Sequence, residues 1–300
     1  MDCRSGMTEP LVSIVIPTYN RKKAVLECLQ SLTTVEYSNC EVIVVDNGST
    51  DGTPDDIEKL HPKVKLIRSS SNLGVTGGRN LGAKHSCGEH VFFLDHDTVV
   101  DKSAICELVE IIQSDSRIGV VGPGIYYYDE PEKIWALGTS IGLLTGKVSF
   151  NYVGRINNGQ FAGIIDVQVL PTAFLVRRKV LETVDFFDDT YFATYEDTDF
   201  CFRVRKAGYR VVCLPKAKVW HKELLSDGRQ EMSILKTYYM ARNRTIFMKK
   251  HATHLNFMLF LIMFMPIYAV YYTFNFLKLS RPDLVLNYWR GVMAGLQSIK

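Results

Sequence analysis

Asp95 and Asp97 stand one residue apart, directly after the apolar run Val91-Phe92-Phe93-Leu94. Such a run reads as a short buried strand, and an open α/β sheet places its ligands beyond the carboxyl ends of its strands. Two carboxylates there could share a hard divalent cation, since Mg²⁺ is held by one or two carboxylates together with substrate phosphates. The competing reading is a strand that ends in a solvated acidic turn, because Asp-x-Asp alone is a weak signal. A second acidic group lies in Tyr195-Glu196-Asp197-Thr198-Asp199-Phe200. A helix capped by Thr194 or Thr198 and ending at Gly208 puts Glu196, Asp197 and Asp199 around its first turn, where carboxylates complement the helix dipole. Asp199 is also spaced to pair with Arg203 at i+4. Three acids beside aromatics exceed what capping needs, and one of them in a partly dry cleft could serve as a general base.

These residues need elements to position them, and the first half of the chain supplies an alternating series. Leu11 to Ile16 is a continuously apolar, β-branched strand closed by Pro17. Asn20 can cap a helix whose apolar positions Ala24, Val25, Cys28, Leu29 and Leu32 share one face. Val42 to Val45 is the next strand, ending in the dense turn Asp46-Asn47-Gly48-Ser49-Thr50-Asp51. Thr53 and Pro54 read as the N-cap and first residue of a helix to about Leu60. Val64 to Ile67 is a third strand, Asn72 to Asn80 a glycine-rich loop leading into a helix to about Ser86, and Val91 to Leu94 a fourth strand. Asp101 caps a further helix with Ile105, Leu108, Val109 and Ile112 inward. Strand–helix alternation of this kind is the pattern of a parallel sheet covered by helices. After Gly119 the pattern is mixed: short β-rich pieces (Gly119 to Val121, Val167 to Leu170, Phe174 to Val176) alternate with glycine-rich segments and the cluster Tyr126 to Tyr128, as expected of longer loops over the strand ends.

Composition narrows the field. An apolar content of 47% with 22% charged residues supports a sizeable core and excludes a disordered chain. A net charge of +3, without a basic run interleaved with aromatics, gives no reason to expect a nucleic-acid partner. Seven cysteines, an odd number without a Cys-x-x-Cys pair, fit reduced packing thiols better than disulfides or zinc. Met1 to Pro10 lacks the apolar core of a signal peptide.

Five stretches, taken in order, resemble a family 2 glycosyltransferase of the GT-A fold, in the branch that includes rhamnosyltransferase-like enzymes. They are Val12 to Asn20 (Val-Ser-Ile-Val-Ile-Pro-Thr-Tyr-Asn), Val45 to Asp51, Asn72-Leu73-Gly74 through Gly78-Arg79-Asn80, Leu94 to Asp97, and Tyr195 to Phe200. Each is weak alone; five at the expected order and spacing are specific, and they cover Leu11 to about His221. The resemblance implies that Pro17, Thr18 and Tyr19 face a nucleotide and that Asp46 binds its base, although an acid capping its own turn explains Asp46 equally well. It implies that Arg79 lies on the phosphate side, where a free surface arginine is the alternative. It places Asp95 near the ribose and Asp97 on the metal bridging the diphosphate, Mg²⁺ or Mn²⁺. His96 departs from the small or acidic residues common at that position and is expected to point away. Asp197 matches the family's catalytic base, with Glu196 the second candidate. His221 matches a histidine that serves some relatives as a further metal ligand, where a plain hydrogen-bonded histidine is the alternative.

Leu255 to Leu277 is a run of 23 residues without a charge. At about 1.5 Å per residue a helix of this length could cross a bilayer core of ~30 Å. Pro266 sits in the middle and could kink or break it, so a re-entrant or interfacial pair of short helices competes with a single span, and a buried core helix or oligomer interface competes with both. Lys236, Arg242, Arg244, Lys249 and Lys250, just upstream, would suit anionic headgroups. The expected organisation is an extension (1–10), a GT-A catalytic domain (11–230) and a membrane-associating helical tail (231–300), with the apolar segment at 255–277. What the resemblance implies is an inverting, metal-dependent transfer of a hexosyl or deoxyhexosyl group from a nucleotide-diphosphate sugar to an acceptor, expected to be lipid-linked, in cell-surface glycan assembly at the cytoplasmic face of the membrane. A processive polysaccharide synthase is the alternative within the enzymes, disfavoured by the missing Gln-x-x-Arg-Trp motif and the single apolar segment. A non-catalytic nucleotide-sugar-binding scaffold on the membrane is the alternative outside them.

Overall fold

The computed structural model describes residues 9–222 and 233–298. Cys3, most of the Met1 to Pro10 extension and the boundary expected at 230/231 lie outside the described residues. The strands are β1 (Val12–Thr18), β2 (Cys40–Asp46), β3 (Lys65–Arg68), β4 (His90–Leu94), β5 (Thr98–Val100), β6 (Ile118–Tyr127), β7 (Ile134–Ala136), β8 (Thr139–Ile141), β9 (Val148–Phe150), β10 (Ile165–Asp166), β11 (Ala173–Arg177) and β12 (Arg210–His221). The helices are α1 (Lys22–Leu32), α2 (Thr53–Leu60), α3 (Gly74–Lys84), α4 (Ala104–Ser114), α5 (Arg178–Thr183), α6 (Glu196–Lys206), α7 (Ile234–His251), α8 (His254–Leu259), α9 (Met265–Lys278) and α10 (Pro282–Gln297).

The main sheet runs in the order β10-β12-β6-β11-β4-β1-β2-β3. β1 is parallel to β2 and β4, β11 is antiparallel to β4 and β6, and β12 is parallel to β6. The carboxyl ends of β1, β2, β4, β6 and β12 therefore open on one side of the molecule, with only β11 reversed between them. β1 and β4 are buried along their whole length because helices cover both faces. On one face Ile14, Ile16, Phe92 and Leu94 pack with Val25 and Leu29 of α1 and Ile105, Leu108 and Ile112 of α4. On the other, Val15, Val91 and Phe93 pack with Ala83 of α3 and Phe200 and Val204 of α6. The period-two alternation along β1 divides its side chains between these two cores.

Several local expectations are corrected. Asn20 has a φ of +50° and does not cap α1; its side-chain oxygen accepts from the Thr50 amide, while Asp51 accepts from the Lys22 amide. Thr53 lies inside α2, and Asp51 accepts from its amide instead. The glycine-rich stretch is not a loop. Its helix begins at Gly74, so Arg79 and Asn80 project from α3. Neither Thr194 nor Thr198 caps α6, which is preceded by Tyr195 in the left-handed region. Val167 to Leu170 forms no strand, only an isolated bridge between Thr139 and Val169. Pro266 does not break the apolar segment, because a π-helical turn over Phe260–Phe264 precedes α9 and the proline falls in the first turn of that helix. His254–Lys278 is one helix, long and apolar enough by length and composition to cross a membrane, and only 22% of its most apolar stretch is buried. That share argues against an ordinary core helix.

Candidate active site

β4 ends at Leu94, and β5 then folds back beside the end of β12, pairing Thr98 with His221. This hairpin-like return is what brings Asp97 to His221 across more than a hundred residues of sequence. Asp97 Oδ2 lies 3.6 Å from His221 Nε2, and both side chains are more than nine-tenths buried. Asp95, Asp97 and His221 each offer one ligand atom within 4.8 Å of the others. The His221 ring stacks on Trp135 of β7, with centroids 5.2 Å apart, and its Nδ1 is buried without a partner among the described residues. Two carboxylates and an imidazole form a donor set suited to a divalent cation such as Mn²⁺. His96 turns away from this group, with Nδ1 3.3 Å from the Pro17 carbonyl oxygen.

On the other side of Asp95 lies Arg79. α3 can approach β1 closely because a Cβ at Gly82 would lie 2.4 Å from Val15 and one at Gly78 2.8 Å from Pro17. Arg79 is 1% exposed, and its Nη2 donates to Asp95 at 2.8 Å. Its Nη1 donates to Asp197 and lies 3.8 Å from Glu196. The guanidinium also lies over the rings of Phe174 and Phe187, at 5.6 and 5.5 Å. Arg79 is therefore neither a free surface arginine nor open to solvent; it ties the acids of α6 to the acid at the end of β4. Burial alone would lower its pKa, but the three carboxylates raise it, so it remains cationic.

The two acids of α6 differ in environment. Burial, reinforced by the charge of Asp197, pushes Glu196 up to about 8. Burial also raises Asp197, but the direct contact with Arg79 opposes that rise. The proton of the pair accordingly rests on Glu196, the carboxyl farther from the guanidinium. Asp199 is spent structurally. It accepts from Arg203 Nε at 2.7 Å, as the i+4 spacing predicts.

The nucleotide-side expectations fall along the same edge. Thr18 is buried with its hydroxyl unpartnered among the described residues, whereas Tyr19 is 42% exposed at the rim. Pro17 continues within β1 rather than closing it, at a point where β4 no longer pairs. Both readings of Asp46 find a geometric counterpart: one oxygen accepts from the Ser49 amide at 3.0 Å, and the other is buried without a partner among the described residues. Sequence reasoning missed Trp135, which nothing in its local pattern marks, and gave Tyr195, named at the head of the acidic motif, no role of its own.

The model of glycosyl transferase family 2 matches residues 13–185. The chain belongs to that family. Among curated relatives, the glycosyltransferase GlyG of Streptococcus pneumoniae is 26% identical over 188 residues, covering 60% of this chain and 62% of its own. The probable glycosyltransferase YdaM of Bacillus subtilis is 26% identical over 233 residues, covering 73% and 53%. The chain thus spans less than two thirds of the length of these family members. In fold it is similar to S. aureus TarS 1-349 in complex with UDP-GlcNAc (TM-score 0.59, 21% identity, 94% of this chain and 81% of that one). It is equally similar to the mannosyltransferase PcManGT of Pyrobaculum calidifontis in complex with GDP-Man and Mn²⁺ (TM-score 0.59, 19% identity, 97% and 76%). The GT-A fold expected from the sequence is the fold observed.

Proposed function

We propose that the chain transfers a sugar from a nucleotide-diphosphate donor to an acceptor hydroxyl with inversion at the anomeric carbon. The observation that carries this reading is the convergence of Asp95, Asp97 and His221 on one side of Arg79 with Asp197 on the other. Asp95, Asp97 and His221 would hold Mn²⁺ or Mg²⁺, which when bound offsets charge on the leaving diphosphate. Pro17, Thr18, Tyr19 and Asp46 form the edge on which the nucleoside would lie. Asp197 takes the proton of the acceptor hydroxyl as its oxygen bonds to the anomeric carbon and the bond to the diphosphate breaks. One displacement of this kind inverts the centre. Glu196 stays protonated at neutral pH and leaves the base role to its neighbour. The nucleotide-sugar ligands of TarS and PcManGT support a donor of the same class.

We further propose the organisation expected from the sequence: a catalytic unit over 11–230 and a helical tail over 231–300 that docks on the cytoplasmic face of a membrane, where a lipid-linked acceptor is held. Ile262, Ile267, Val270, Tyr271, Phe274 and Leu277 all point outward from the apolar helix, and such a strip needs lipid or protein to cover it. The basic cluster is smaller than the sequence suggests. Arg244 is 7% exposed, and Lys250 pairs with Asp188 and Asp199 at 2.7 Å, so neither is available to headgroups.

The test is a thermal-shift screen against UDP- and GDP-sugars with and without Mn²⁺, followed by nucleotide release measured with the best stabiliser. Metal-dependent stabilisation and turnover are expected. Stabilisation without any release would favour the scaffold reading.

A further inference from the structure

The segment carrying Glu196 and Asp197 is held from outside the sheet. Thr194 and Tyr195, immediately before them, have left-handed φ values of +63° and +70°. Residues other than glycine keep that conformation only where their surroundings over-determine it. Here the surroundings come mainly from the C-terminal helices. Asn243 of α7 is fully buried, and its Nδ2 donates to the carbonyl oxygens of Ala193 at 2.8 Å and Thr194 at 2.9 Å. Arg244, the next residue, donates from Nε to the Tyr195 hydroxyl at 3.2 Å, and that hydroxyl donates to the Gly146 carbonyl oxygen at 3.0 Å. The Arg244 guanidinium in turn lies 4.3 Å from the centre of the Tyr268 ring and 5.7 Å from that of Tyr272, both on α9. At the far end of the first turn of α6, Asp199 accepts from His251 Nε2 and Lys250 Nζ, each at 2.7 Å.

The carboxylates are thus pinned at both ends by α7, and one pin is braced by the apolar helix. A buried guanidinium is costly unless its surroundings compensate it; here the faces of two tyrosines do so. The arrangement gives α9 a task beyond covering the core.

We infer that Asn243, Arg244 and Tyr268 are positioning residues, holding Asp197 in register for proton transfer only while the apolar helix is packed on α7. The inference rests on the transfer reaction proposed above. None of the three touches the Asp95–Asp97–His221 group or the edge where the nucleoside would lie, so their loss should slow turnover without weakening donor capture.

The experiment uses the full chain in detergent, with UDP-GlcNAc or GDP-mannose, whichever supports turnover, and Mn²⁺. Arg244→Lys, Tyr268→Leu and Asn243→Ser should each lower kcat by about 10² while donor KM stays within about twofold, as for a base displaced by around an ångström. Tyr268→Phe keeps the ring face and should keep wild-type kcat, a rescue that a bulk packing role shared with Leu would not give. Equal kcat for Tyr268→Leu and wild type overturns the inference. So does a parallel rise in donor KM, which would mean general loosening. If one variant fails to fold, the other two decide; if all three fail, the contacts serve folding alone and the inference falls. An inert wild-type chain overturns the transfer reading itself, and the inference with it.

Discussion

Exchanging the two neighbouring carboxyls of α6 for their amides should give opposite results. Glu196 and Asp197 are adjacent in sequence and both face Arg79, yet Arg79 Nη1 bonds directly to Asp197 and stands 3.8 Å from Glu196. With Glu196 raised to about 8, about one molecule in ten carries it ionised at pH 7. A group in that state is a poor proton acceptor, and Glu196→Gln imitates its prevailing neutral form. Turnover should therefore stay within about tenfold of wild type. Asp197→Asn keeps shape and a hydrogen bond to Arg79 but cannot accept the proton, so kcat should fall by ~10²–10⁴, equivalent to about 3–5 kcal/mol of barrier.

The assay is steady-state nucleotide release across pH, with donor KM measured alongside. Donor KM should change little in either variant, because neither carboxyl belongs to the group that would hold the metal. The wild-type acid limb should lie above the ordinary carboxylate range, since burial raises Asp197 in spite of Arg79. A large loss in Glu196→Gln with activity kept in Asp197→Asn would refute the reasoning, because Arg79 would then be partnering a bystander.

Asp97→Ala should abolish transfer and remove Mn²⁺-dependent stabilisation by nucleotide, since a hard cation loses a charged oxygen; full activity in chelator would contradict it. Asp199, for which burial alone would mean a raised pKa, is held at about 2 by His251, Lys250 and Arg203. A carboxylate depressed in the folded state contributes stability present above about pH 4 and lost as pH falls towards 2. Asp199→Asn should therefore cost about 3 kcal/mol at pH 7 and flatten that acid dependence in chemical denaturation. Glu196 works in the opposite sense. The folded chain keeps a proton that the unfolded chain has lost, so stability falls as pH rises from about 4.5 to about 8, and Glu196→Gln should remove that slope. Finally, Ile267→Ser, Val270→Ser and Phe274→Ser together, at positions 56%, 69% and 68% exposed, should release the chain from anionic vesicles while donor hydrolysis persists; unchanged vesicle binding would sink the membrane docking.

Sequence made the sheet legible because β1, β4 and the second half of β2 are buried on both faces and so read as apolar runs. It made α4 legible because Ile105, Leu108, Val109 and Ile112 repeat at helical spacing, and all four are buried. It misjudged the first half of α3, where Gly74, Gly77 and Gly78 spell a loop by propensity. Close approach to β1 demands glycine at Gly78 even inside a helix, and tertiary packing overrides propensity there. Within the helical tail it expected over 231–300 it did not delimit α10, whose Gly291 and Gly295 let it sit against the backbone of α7. The caps expected at Asn20 and Thr194 failed because both lie in loops whose partners come from another loop or helix, which a local rule cannot see, whereas Thr53 is already inside α2 and bonds the nearby Asp51. The same limit hid the clamp on the site. Arg79, Asp95 and Asp197 are spread over more than a hundred residues, and no spacing announces that they will meet.

That meeting is the electrostatic ground for the cation proposed above. Among the described residues, Asp95, Asp97 and Asp197 bring three partly or fully buried carboxylates together against one guanidinium, that of Arg79. Glu196 escapes the imbalance by keeping its proton. The remainder is an excess of two negative charges, concentrated at Asp95 and Asp97 because Asp197 is the acid most closely engaged by Arg79. Uncompensated charge in such surroundings is costly, and His221 adds a neutralising partner only if protonated. A divalent ion would balance the excess and, through its remaining coordination positions, could accept diphosphate oxygens. The charge arrangement of the chain therefore favours a metal–diphosphate ligand over a bare diphosphate, which Asp95 and Asp97 would repel. Nucleotide titrated without metal should accordingly bind much more weakly than with Mn²⁺, and Asp95→Asn with Asp97→Asn should shrink that difference. Equal affinity with and without Mn²⁺ in the wild type would show that the excess charge is balanced in some other way.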